Sequence, residues 1–219
     1  MKLTVSFEKK MFSREELPVF VDGALACVVP NGKCESVELP DAEHYFLQLG
    51  DRVSAEASVL VREGDAIELA VKRKKNMLSL DVTGGVLRTF SMRRLLSALD
   101  DEGAVLCLSD WERNAYYAML YAECAREDMI LESPYIHDIC EGLIAVGDRV
   151  VGERLREVVE KCELSLPLSP LSKLTPTEES ALVESYHQLW TREEAEPKGE
   201  RERSYRIVME YIYTHSKGA

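Results

Sequence analysis

The chain has no uninterrupted apolar stretch of the ~18 residues that a membrane-spanning helix requires. Its opening MKLTVSFEKK carries charges at positions 2, 8, 9 and 10, so no signal-type apolar core follows the first methionine. Both absences point to a cytoplasmic protein. Also missing are the phosphate-binding patterns GxxxxGK(S/T) and GxGxxG, the nucleophile elbow GxSxG and the zinc-protease pattern HExxH. The six cysteines, at 27, 34, 107, 124, 140 and 162, never fall in a CxxC pair. They read as reduced thiols that pack as small hydrophobes, several of them on apolar helical faces, and not as metal ligands or a disulfide framework. Positive charge is in deficit as well: 27 basic residues face 39 acidic ones, a net charge of -12. Such a balance repels nucleic acid phosphates and anionic membranes, so any link to nucleic acid would pass through another protein.

What is present is an ordinary globular composition. The apolar share of 46% is enough to build cores, and 219 residues are long for one core and comfortable for two. From Lys2 to about Thr83 apolar residues alternate: Leu3, Val5 and Phe7; Val19 and Val21; Ile67, Leu69 and Val71; Leu78, Leu80 and Val82. Turn signals stand between them at Asp22-Gly23, Asn31-Gly32, Gly50-Asp51 and Gly64-Asp65. The pattern predicts roughly seven short strands in a small antiparallel β-sandwich.

Within that frame the segment LPDAEHYFLQL, Leu39 to Leu49, brings Asp41, Glu43 and His44 close together. Two carboxylates and an imidazole could be half of a metal site, but the further ligands a metal needs are not nearby. The segment reads better as a Pro-Asp turn leading into a strand, with Tyr45, Leu47 and Leu49 on one face and His44, Phe46 and Gln48 on the other. VFVDGALACVVPNG, SVELPDAEHYFLQL and ASVLVREGDAIELAVKRK together resemble the bacterial PEGA-type small β-sandwich modules, over about residues 17 to 75. Pro40-Asp41-Ala42 stands where the proline and glycine of that pattern would be. The resemblance implies an accessory scaffold and not a catalytic domain. The run Lys72-Arg73-Lys74-Lys75 reads as a solvated strand end, with a small anionic contact as the alternative.

At Gly84-Gly85 the alternation stops, and from about Ser91 the period is helical. We therefore expect a β-sandwich accessory module over 1–84 and a separate all-α domain of about five or six helices over 85–219, an α+β chain. SMRRLLSALDD is a short helix. Ser109 and Glu112 form a capping box ahead of a long helix, and Ser133-Pro134 opens PYIHDICEGLIAVG. Gly147-Asp148 opens DRVVGERLREVVEKC, with Val150, Val151, Leu155, Val158, Val159 and Cys162 on its buried side. Thr175, Pro176 and Glu178 start a helix ending at Trp190; REEAEPKGERER is a solvated link; and SYRIVMEYIYTHS is the last helix, with Ile207, Val208, Tyr211 and Ile212 as its stripe.

Residues 1–84 hold 11 basic and 14 acidic side chains, whereas residues 85–219 hold 16 and 25, so the helical half carries most of the acidity. WERNAYYAMLYAECAREDM, ICEGLIAVGDRVVGERLREVVEKC, LVESYHQLW and RIVMEYIYTHS follow one another in an order that resembles an acidic all-helical bacterial family of DNA-mimic proteins, over about residues 109 to 216. Leu143 to Gly147 and Tyr211 to His215 match its helix junction and its helix end; Arg126 to Glu132 replaces its Asn-Gly-Gly-Phe loop. The resemblance implies binding to a regulator of transcription. The residues expected to meet a basic protein partner are Glu123, Glu127, Asp128 and Glu132, which crowd the end of the long helix and its loop.

No residue stands out as catalytic, cofactor-binding or metal-binding. His137 and Glu141 share a helix face at i,i+4, with Cys140 between them packing inward beside Ile136 and Leu143. The favoured expectation is a non-enzymatic interaction protein. The alternative is a small-molecule enzyme or sensor with a pocket at the domain junction, using His137, Glu141 and tyrosines of the Trp111, Tyr116, Tyr117 and Tyr121 group.

Overall fold

The computed structural model describes residues 1–10, 15–50, 56–74, 77–100, 102–123, 133, 135–163, 175–177, 180 and 199–216. Nine strands come first: β1 (Lys2–Phe7), β2 (Glu16–Val21), β3 (Ala24–Pro30), β4 (Cys34–Glu38), β5 (His44–Leu49), β6 (Glu56–Arg62), β7 (Ala66–Lys74), β8 (Met77–Thr83) and β9 (Gly85–Ser91). They are followed by α1 (Arg93–Asp100), a 3-10 turn (Glu102–Cys107), α2 (Asp110–Glu123), α3 (Ile136–Val146), α4 (Arg149–Glu163) and α5 (Glu200–Ser216). The chain is thus α+β, strands first and helices after, and it divides into two compact units, Met1–Leu96 and Ser97–Ala219. Among the described residues, no helix is long and apolar enough to cross a membrane.

The strands form two sheets, ordered β4-β1-β7-β8 and β3-β2-β5-β6-β9. Leu3, Val5, Phe7, Ile67, Leu69 and Val71 from the first and Leu17, Val19, Val21, Tyr45, Leu47 and Leu60 from the second make one buried core. These are the alternating residues that the period of two selects.

Two expectations are corrected here. The sandwich is mixed, not antiparallel: β1 and β7 run parallel, from Lys2 beside Ala66 to Phe7 beside Val71. Alternation marks which side chains face inward but is blind to strand direction, and these two strands meet only after the chain has passed through the other sheet. Nor does the β-rich part end at residue 84. Strand β9 pairs with β6 from Gly85 beside Arg62 to Ser91 beside Glu56. Gly84 links β8 in one sheet to β9 in the other, at φ +80°, and a Cβ there would lie 2.2 Å from the Ala66 carbonyl oxygen. A Cβ at Gly85 would lie 2.7 Å from the Val61 oxygen. The glycine pair that reads as a domain boundary is the corner of the sandwich, where backbones approach too closely for any side chain.

The turns follow from local chemistry. Asp22 (φ 52°) and Gly23 (φ 83°) close the β2–β3 hairpin as a two-residue turn with both residues left-handed. Asp22 also extends the β2–β5 pairing, since its N–H donates to the Phe46 carbonyl and its carboxylate accepts from the Phe46 N–H, both at 2.9 Å. In LPDAEHYFLQL the Tyr45 hydroxyl donates to the Pro40 carbonyl at 2.7 Å and accepts from the Ala42 N–H at 3.1 Å, which fixes the turn before β5. Phe46 is buried although it lies on the face opposite Tyr45, and its ring meets Phe90 of β9 edge-on at 6.3 Å.

In the helical unit, α2 packs against α3 and α5, and α3 against α4. Glu112 of α2 accepts from the Ser109 N–H (2.8 Å) and hydroxyl (2.7 Å), so the glutamate half of the predicted capping box forms. Gly147 (φ 105°) ends α3 with its N–H on Ile144 O and the Asp148 N–H on Leu143 O, a Schellman pair. Glycine also sets helix spacing: a Cβ at Gly142 would lie 2.9 Å from Asn114 O of α2, and one at Gly152 would lie 2.9 Å from Cys140 O of α3. Val151, Leu155 and Val159 of α4 are buried, but Val150 is 65% exposed. It lies about 100° around the helix from Val151, which turns it away from α3.

Candidate functional site

The expected partner-binding acids fall largely outside what can be seen. Glu127, Asp128 and Glu132 lie outside the described residues, and Glu123 is the last residue of α2 with its side chain also outside them. The helix expected from Thr175 to Trp190 is described only at 175–177 and 180, where the Ser180 hydroxyl donates to Pro176 O at 2.8 Å.

The described helices carry a different group of exposed acids. Glu153, Glu157 and Glu160 follow one another on α4 at i, i+4 and i+7, and all are exposed. At 3.6 residues per turn this spacing keeps them within one narrow stripe. Glu141 of α3, also exposed, accepts from Arg156 of α4 at 2.6 Å, and Glu153 accepts from Arg149 at 2.6 Å. That hydrogen bond and the Glu153 charge raise the Arg149 pKa. Among the described residues, the outer surface of α3 and α4 therefore presents the carboxylates of Asp138, Glu141, Glu153, Glu157 and Glu160 beside the guanidiniums of Arg149 and Arg156, and Glu157 and Glu160 carry the stripe on along α4. Sequence reasoning named the helix but read it only for its apolar side; the Glu-x-x-x-Glu-x-x-Glu spacing was the signal for this stripe.

His137 and Glu141 are both exposed on α3, as their shared face predicts, and Glu141 is engaged by Arg156. Cys140 points the other way, into the core, and burial pushes its thiol up to about 12 despite the nearby Arg156. A thiol that stays protonated throughout the physiological range is no nucleophile. Tyr116 and Tyr121 are buried. Half-buried Tyr117 lies against Tyr116 (5.2 Å) and Tyr135 (6.0 Å); burial raises its hydroxyl pKa, and the Asp138 charge adds to the shift. Trp111 stacks on His215 of α5 at 5.6 Å, and Tyr211 lies 4.0 Å from the same imidazole.

Two acids that read in the sequence as a helix start and as part of a solvated link are buried inside the unit. Asp148, 1% exposed, accepts from the Ser204 hydroxyl and from Arg203 at 2.9 Å, while its carbonyl takes the Gly152 N–H at the start of α4. Glu200, 6% exposed, pairs with Arg154 and accepts from the Tyr121 hydroxyl at 3.3 Å. Burial lowers the Arg154 pKa, but the Glu200 hydrogen bond and charge outweigh it and the net shift is upward. These contacts correct the reading of REEAEPKGERER as a solvated link throughout, because its last four residues form the first turn of α5. Glu200 is anchored there by α2 and α4. The acid-rich composition hid a carboxylate whose partners are 46 and 79 residues away.

In the β-rich unit, exposed Asp41 pairs with Arg62, which also binds Asp65 at 3.2 Å and donates to the Gly64 carbonyl at 2.8 Å. Glu43 contributes its backbone oxygen to Arg62 N–H at 3.0 Å, and His44 lies edge-on to Phe46 at 5.6 Å. The three residues tie a turn to β6, and among the described residues no group of three His, Cys, Asp or Glu side chains is arranged to hold a metal ion.

The boundary at Leu96 sharpens the division of charge. Residues 1–96 contain 14 basic and 14 acidic side chains, and residues 97–219 contain 13 and 25, so the second unit carries the whole net charge of -12. No family model, curated protein or solved structure matches the chain.

Proposed function

We propose that this chain is a non-enzymatic cytoplasmic interaction protein whose acidic helical unit docks on the basic surface of a protein partner, such as a nucleic acid binding protein. The observation that carries this reading is the confinement of the net charge of -12 to residues 97–219, with a line of exposed carboxylates, Glu153, Glu157 and Glu160, on one face of α4. Like charges at i,i+4 destabilise a helix by a few tenths of a kcal/mol per pair, a cost that a binding face can offset. A carboxylate field of this kind speeds encounter with a cationic surface and selects against anionic ones. Glu123, Glu127, Asp128 and Glu132 fall by sequence within the same acidic unit and add to its negative charge. The β-rich unit, neutral overall, serves as the accessory scaffold.

The test is an affinity pull-down from the native cell read by mass spectrometry, followed by binding kinetics on the captured partner. Changing Glu153, Glu157 and Glu160 together to lysine should slow association far more than it speeds dissociation, and so should reversal at Glu127 and Asp128. Affinity should also fall steeply with added salt. A partner indifferent to both the reversals and the salt would refute electrostatic docking.

A further inference from the structure

The neutral unit is not evenly neutral. Because β1 and β7 run parallel, their C-terminal ends lie side by side: Phe7 is level with Val71, and the Glu8 N–H donates to Val71 O at 2.9 Å. Lys9 and Lys10 therefore leave the sheet beside Lys72 and Arg73. On the other side of β1, Lys33 just precedes β4 and gives its carbonyl to the Phe7 N–H at 2.9 Å. The Asn31 side chain holds Lys10 by two 2.8 Å bonds, its amide donating to Lys10 O and its oxygen accepting from Lys10 N–H. Five cations from three separate parts of the sequence thus share one end of one sheet. Arg73 pairs with Glu15 at 3.3 Å and Lys72 with Asp81 at 3.5 Å, while Lys9, Lys10 and Lys33 are exposed and form no ion pair with a described residue. Exposed Glu8 stands in the same row.

We infer that this basic sheet end binds the α4 face of a second copy of the chain, so that copies associate basic end to acidic helix. The inference rests on the acidic-face reading above and names a partner for it. Two matches support it. The charges are complementary, since the acidic unit holds the entire net charge of -12 and the sheet end gathers Lys9, Lys10 and Lys33. The extents are compatible too: Glu153 to Glu160 spans ~10.5 Å along a helix at 1.5 Å per residue, and the sheet end spans β4, β1 and β7, ~9.6 Å at ~4.8 Å per strand, with Lys9, Lys10 and Lys33 on its β1 and β4 part and the already paired Lys72 and Arg73 on β7. Such a contact joins two different surfaces, so it either closes reciprocally between two copies or continues as a chain.

Sedimentation velocity of the full chain tests this at about 0.01 M and about 1 M salt, where the screening length falls from ~30 Å to ~3 Å. The expected result is concentration-dependent association at low salt that weakens at least about tenfold at high salt. A variant with Lys9, Lys10 and Lys33 all changed to glutamate should be monomeric at low salt, as should one with Glu153, Glu157 and Glu160 all changed to lysine. Mixing the two should restore association, because the acidic sheet end of the first then meets the basic helix of the second; that rescue also shows that both variants are folded. A wild-type chain that stays monomeric at low salt overturns the inference, as does self-association that survives both sets of changes. If the chain is monomeric while the α4 variant still loses a captured partner, self-association is refuted and the acidic-face reading stands.

Discussion

Replacing Gly84 by alanine tests the sandwich corner most directly, and the cost can be worked from geometry. Gly84 has φ +80°, so any L-residue there takes the left-handed conformation at ~1–2 kcal/mol. In addition, the new Cβ would sit 2.2 Å from Ala66 O, where ordinary contact begins at 3.4 Å. Recovering that missing 1.2 Å requires the β8–β9 corner or the start of β7 to move, and backbone bond angles resist quadratically, at about 1 kcal/mol for a ~7° deviation and ~4 kcal/mol for ~15°. The sum is a loss of at least ~3 kcal/mol, a large part of the stability of a small unit. Two other glycines in the same unit separate the contributions. Gly50 (φ +81°) has nothing within 4 Å of a built Cβ, so Gly50→Ala meets only the conformational cost of ~1–2 kcal/mol. Gly64 has neither a positive φ nor a neighbour, so Gly64→Ala should be neutral or stabilising by up to ~1 kcal/mol through the unfolded chain. Urea titration followed by far-ultraviolet circular dichroism gives the three midpoints, and the order Gly64→Ala, Gly50→Ala, Gly84→Ala should be one of falling stability. A Gly84→Ala protein as stable as the Gly50→Ala protein would refute the close approach of strands at the corner.

Other outcomes follow from the same structure. Ser204→Ala removes a donor from the buried Asp148 carboxylate and should cost ~1–3 kcal/mol in denaturant unfolding of the helical signal, whereas an unchanged midpoint would place Asp148 in water. Cys140 should resist iodoacetamide at pH 8 while exposed Cys34 and Cys107 are alkylated, as read by peptide mass spectrometry; rapid labelling of Cys140 in the folded chain would contradict its burial. The same thiol binds its proton more tightly folded than unfolded, so its contribution to stability is complete below pH ~9. That contribution should be lost as pH rises toward the folded value of about 12. A fragment ending at residue 84 lacks β9 and leaves the β6 edge open, so it should give broad, poorly dispersed amide spectra, whereas a fragment ending at residue 96 should give dispersed ones; equal spectra would show that β9 is dispensable.

The sequence by itself determined the local events. Alternation chose Leu3, Val5, Phe7, Ile67, Leu69 and Val71 as core residues. Asp22-Gly23 made its hairpin, Glu112 reached back to the Ser109 N–H, and the change of period placed strands before helices. Each depends on neighbours within a few residues, where periodicity and turn chemistry act. The tertiary structure alone decided matters between distant segments. It set β1 parallel to β7, which side-chain alternation cannot encode, and it turned Gly84-Gly85 from a boundary into a corner because Ala66 and Val61 lie against them. It buried Glu200 and Asp148, whose partners are remote in sequence, while the outward Glu153, Glu157 and Glu160 stayed in solvent. An acidic residue looks the same in sequence whether it is solvated or enclosed. Only the packing around it settles which, since burial without a partner would cost more than a marginally stable fold can sustain.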